Sequence, residues 1–182
     1  RNASDDKFGI GVDGSKPFWV DIDVVAPAGS TEIFNFVDEA CDSDTQWFND
    51  SGDLPCPGES DDAEGFVIIL DDPKTETGNK AGADALETHP QWIDNGYIAG
   101  KYDEIDVKSG YRFRTKIGCL YKDGGSACDV KFALRYRIGS ESTKTLAEWS
   151  QTYDGSLKTI DLDLSSLAGN SVRFTLIVYA NG

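Results

Sequence analysis

Apolar and polar residues alternate with a period of two along most of this chain. In the run at 171–179, Val172, Phe174, Leu176 and Val178 fall on one side. Arg173, Thr175, Ile177 and Tyr179 fall on the other. Both sides are largely apolar, so the run predicts a strand buried on both faces of a sheet. The same period predicts strands over 18–25, 32–37, 65–70, 97–99, 111–120, 129–138, 146–149 and 157–164. Asp-Gly, Gly-Gly, Asn-Gly and Gly-Ser turn signals separate most of them. A helical period is confined to one turn near 83–87. Short strands joined by Gly-rich turns imply an all-β sandwich. Two long loops, 41–64 and 71–94, are where a rigid sandwich would present its chemistry.

The first thirty residues differ from the rest. Residues 1–16 are polar and Gly-rich, "KPFWVDIDVV" is strand-like, and Ala26-Pro-Ala-Gly-Ser reads as a linker. The organisation expected is an arm over 1–30 that carries a strand, and a sandwich over 31–182. The run at 171–179 leads into Ala-Asn-Gly, a turn that normally starts another strand. The expectation is that this next strand is supplied by the arm, with Pro17, Phe18, Trp19, Val20 and Ile22 packing beside 172–179.

Charge narrows the range of partners. The chain carries a net charge of −15, with acids densest between Asp38 and Glu64. No basic stripe stands out to release counterions, so nucleic acid and anionic membranes are not expected partners. No run approaches membrane-spanning length.

The four cysteines form two local pairs, Cys41 with Cys56 and Cys119 with Cys128, the second bracketing a hairpin tip. Neither spacing is a zinc knuckle. Two disulfides fit better and imply an oxidising, extracellular compartment. Sequons at Asn2 and Asn49 agree with that and mark expected glycosylation sites. No cofactor is required. The density of acids suits structural calcium, with Asp38, Asp42, Asp44, Asp61 and Asp62 as the candidate ligands. With one histidine and no nucleophile elbow, zinc-protease motif or phosphate loop, the chain reads as a non-enzyme. Trp47 and Trp92 are the candidate platforms for a sugar ring.

Several stretches carry a family resemblance: "FNFVDEAC", "GFVIILDDP", "LETHPQWIDNGYIAGKYDEIDVKSGYRFRTKIGCL" and "YDGSLKTIDLDLSSLAGNSVRFTLIVYANG". From Phe34 onward the chain resembles a jelly-roll module of secreted bacterial proteins, and more distantly carbohydrate-binding modules. In that family one more strand follows Ala-Asn-Gly, and "GSKPFWVDIDVV" is similar to it. The resemblance implies a jelly roll whose last strand has moved to the N-terminal arm. The function expected is a structural subunit of an extracellular filament, glycosylated, whose arm completes the sandwich of an identical neighbour. The alternative is a non-catalytic carbohydrate-binding module.

Overall fold

The computed structural model describes residues 18–25 and 32–181. Twelve strands among them form two six-stranded antiparallel sheets. Those of the first sheet are β1 (Phe18–Val25), β2 (Glu32–Asn35), β5 (Phe66–Leu70), β6 (Ala85–His89), β8 (Arg112–Cys119) and β11 (Lys158–Asp163). Their order is β11-β8-β1-β6-β5, with β2 also paired to β1. The second sheet holds β3 (Gln46–Asn49), β4 (Gly52–Leu54), β7 (Tyr97–Asp106), β9 (Asp129–Ile138), β10 (Lys144–Thr152) and β12 (Ser171–Ala180). Its order is β10-β9-β12-β7-β3-β4. The protein is an all-β sandwich, as the period-two pattern required.

Aromatic side chains from both sheets fill the space between them. Phe36 meets Tyr102 edge to face at 4.7 Å between ring centroids and Phe113 at 5.7 Å. The Tyr102 hydroxyl, wholly buried, donates to the Phe36 carbonyl at 3.1 Å, and burial holds its pKa well above the usual tyrosine range. Trp47 is 2% exposed and donates from Nε1 to the Ala40 carbonyl at 2.7 Å. The one cavity described between the sheets measures about 30 Å3, room for a water but not for a sugar.

Three local expectations change. Residues 83–87 are not a helical turn, because 85–89 pair with both β5 and β1 as strand β6, buried on both faces. Five buried residues in a row show no alternation for sequence reading to detect. The loop at 41–64 contains the β3–β4 hairpin, whose three to four residues per strand are too short for a period to register. The arm strand also lies elsewhere than expected. β12 is flanked by β7 and β9, so the arm does not pair beside 172–179. β1 belongs to the opposite sheet.

Candidate functional site: the seat of strand β1

β1 lies in the interior of its sheet. One edge pairs with β8 along its whole length, from Phe18↔Cys119 to Val25↔Arg112. The other edge is shared, with Phe18, Trp19 and Val20 opposite Thr88, Glu87 and Leu86 of β6, and Asp23 and Val24 opposite Asn35 and Phe34 of β2. Without β1, the sheet divides into a β11–β8 pair and a β5–β6 pair that face each other across a gap one strand wide. Both edges would then carry unpaired backbone donors and acceptors.

The wall formed by β8 alternates over 113–117, and all three of Ile117, Gly118 and Cys119 are buried. Phe113, Thr115 and Ile117 are buried, whereas Arg114 and Lys116 are exposed. Register matches Val24, Ile22, Val20 and Phe18 to the buried set with Cys119, and matches Asp23 and Asp21 to Arg114 and Lys116. Trp19 therefore falls in the row of Gly118 and Glu87. A slip of one residue would exchange the two faces of the strand and put Asp21 and Asp23 in the row of Phe113, Thr115 and Ile117. On the far side of β8, Asp161 of β11 pairs with both Arg112 and Arg114, and the two guanidiniums hold its carboxyl below the usual carboxylate range.

The Cys119 end of this wall is pinned by a residue that sequence reading passed over. Glu76 is 5% exposed. Its Oε1 accepts from the Cys119 amide at 2.7 Å and from Gln151 Nε2 at 3.0 Å. Its Oε2 accepts from the Asp154 and Gly155 amides at 2.9 and 3.0 Å. A buried carboxylate with four donors is fully satisfied and ties the 71–82 segment to two other segments. Nothing in Thr75-Glu76-Thr77 distinguishes this acid from its neighbours in the sequence. The disulfide Cys119–Cys128 closes the same corner, and Cys41–Cys56 closes the segment that contains the β3–β4 hairpin. Both pairings are those the spacing implied, and two disulfides in a small β domain are compatible with an extracellular location.

The remaining candidates are dispersed. Asn49 is 5% exposed, Nδ2 donates to the Glu64 carbonyl and Oδ1 accepts from the Ser51 amide. This burial leaves no room for a glycan, so the expectation of modification there is withdrawn. Asn2 and Pro17 lie outside the described residues. Trp47 is core rather than a platform, and Gly100 was the available signal. A Cβ at Gly100 would come within 2.6–2.8 Å of the Trp47 ring, and a glycine inside a strand marks such a close approach.

Trp92 is half-buried, with Nε1 2.9 Å from His89 Nδ1. His89 stacks on Phe66 at 5.3 Å, and burial pushes its pKa down. Among the described residues no three His, Cys, Asp or Glu side chains converge as a metal site would need. Asp38, Asp42 and Asp44 lie on or beside the turn before β3, while Asp61 and Asp62 lie in the segment before β5, where Asp62 accepts from the Glu64 amide at 3.0 Å. Comparison with protein-family models, curated proteins and solved structures found no match.

Proposed function

We propose that this chain is a structural subunit of an extracellular filament in which β1 of one copy occupies the β6–β8 seat of the next. The supporting observation is the position of β1. An eight-residue strand, joined to the body through residues 26–31, completes the middle of a sheet whose other strands all come from 32–163. A strand so placed fits the same seat whether its own chain or another delivers it, since the ladder and the register are identical. Burial of a large apolar side chain contributes roughly 1.5–3 kcal/mol and each net hydrogen bond about 0.5–1.5 kcal/mol, so eight registered residues are enough to hold a non-covalent polymer. If the exchange runs head to tail without closing, the product is open-ended. The partner is an identical subunit, and the reading includes glycans attached in the arm, where Asn2 carries a sequon.

The test compares the full chain with one lacking residues 1–25. The truncated chain is expected to aggregate, and a synthetic peptide covering 16–25 is expected to return it to a folded, monodisperse state. Full-length protein seeded with preformed material should give fibres by electron microscopy. A truncated chain that stays folded and monodisperse overturns the proposal, as does a full-length chain that stays monomeric under seeding.

A further inference from the structure

We infer that the outer face of the β9–β12–β7 sheet docks the acidic turn at 38–44 of a second copy of this chain. Two charge groups that find few or no ion partners among the described residues lead to this.

The first group is basic. Register sets Arg137 of β9 directly opposite Arg173 of β12, and Arg135 opposite Thr175, on the sheet face away from the core. Like charges in facing positions destabilise a sheet unless something answers them. Arg173 is partly answered, with Asp103 at 3.6 Å and Glu104 at 3.5 Å. Among the described residues no acid lies within ion-pair distance of Arg135 or Arg137. The Nε atoms of Arg135 and Arg173 are buried without a hydrogen-bond partner, which a native fold rarely leaves unexplained. On the same face Ala99, Ala133 and Ile177 form a small apolar floor edged by Phe48, Tyr97 and Tyr179. Arginine and tyrosine over an apolar centre is the composition of a protein–protein contact.

The second group is acidic. Residues 17–73 contain no Lys or Arg. Asp38, Glu39 and Asp42 crowd into one turn, where the Glu39 carboxyl is held above its usual range chiefly by a hydrogen bond with Asp42. No cation among the described residues pairs with them. The turn is anchored by the Cys41–Cys56 disulfide, by the Glu39 amide donating to the Asn35 carbonyl and by the Thr45 amide donating to the Asp42 carbonyl. Its carboxylates are therefore presented on a fixed frame.

The two groups do not meet within one chain. β9 is separated from β3, which follows the turn, by both β12 and β7. Three strand spacings amount to about 14 Å. A second copy brings them together through charge-assisted Arg–carboxylate bonds. Two bodies of charge −15 repel at low salt, and high salt screens the contact itself. Association is thus expected to peak at intermediate ionic strength, on the order of 0.1–0.15 M, where the Debye length is near 8–10 Å.

The contact uses no residue of β1, so it stands or falls apart from the filament proposal. The test is sedentation-equilibrium or light-scattering measurement of the full chain across salt concentrations. The paired substitutions Arg135→Glu with Arg137→Glu, and Asp38→Lys with Asp42→Lys, should each weaken self-association at least tenfold with unchanged near-UV circular dichroism. The neutral pair Arg135→Gln with Arg137→Gln should give an intermediate loss. Mixing the two reversed variants should restore a heterotypic complex, and failure to restore it overturns the inference. Loss in the arginine variant alone, together with polygalacturonate binding by the unmodified chain, would assign the face to an anionic glycan and also overturn it. Fibres that persist in every variant, with no change in lateral association, would leave the β1 proposal intact and end this one.

Discussion

The two sheets complete their middles in different ways. β12 lies between β9 and β7 and pairs with both nearly from end to end. β1 has one continuous neighbour, β8, while its other edge is divided between β6 and β2. β12 contributes Val172, Phe174 and Val178 to the core, all nearly inaccessible, and cannot leave without emptying the sandwich. β1 can be imagined withdrawn as a unit, leaving a defined seat. One sheet is closed by residues that belong to the body, the other by a strand tethered through 26–31. The first arrangement gives stability, and the second is the one on which the proposed joining of identical copies rests.

Truncating a core side chain in each sheet should break this comparison most forcefully. Phe174→Ala, from a side chain with no exposure, is expected to cost about 3–5 kcal/mol in urea unfolding. Phe113→Ala on β8 should cost a similar amount globally. It should also speed amide exchange in β1 selectively, which Phe174→Ala should not. Equal effects on β1 from both would mean that β1 has no separable seat.

Glycines come next. Gly100→Ala drives a Cβ into the buried Trp47 indole and is expected to destabilise by about 1–3 kcal/mol. Gly118→Ala runs into the Leu157 Cδ2 methyl and comes within 3.1 Å of Glu76 Oε1. The methyl end of a leucine can swing aside, so the second loss should be the smaller, measured by thermal unfolding of the two variants side by side. Glu76→Gln keeps the shape but replaces one accepting oxygen with an NH2, so two of the four donors are left facing another donor. It should cost about 1–3 kcal/mol and raise exchange at Cys119 and Gly155 before the β12 core is affected.

The smallest expected effect concerns pH. His89 on β6 has a folded pKa below its ordinary value of 6.5, chiefly because burial disfavours the cation. Above 6.5 both folded and unfolded chains carry a neutral ring, and stability does not depend on it. As pH falls below 6.5 the unfolded chain takes up a proton that the buried ring refuses, so stability declines. His89→Gln should remove that part of the decline. An unchanged slope between pH 6.5 and 5 in the variant would show that His89 contributes none of it.

The sequence by itself determined the fold class, because a period of two is local. Each alternating run from 18–25 to 171–179 needs only its own residues to declare a strand. The disulfide partners were legible for the same reason, since each pair closes a short loop. Tertiary structure decided everything that depends on what covers a residue. Trp47 and Asn49 sit in a polar stretch, yet close approach of Gly100 and the Glu64 carbonyl draws both inside. β6 shows no alternation because it is enclosed on both faces. Glu76 is one acid among many until four donors converge on it. That 18–25 form a strand was legible, but the sheet that receives it was not. Pairing with β8 rather than β12 depends on contacts between residues roughly ninety positions apart, such as Asp23 with Arg114, and no local pattern records them.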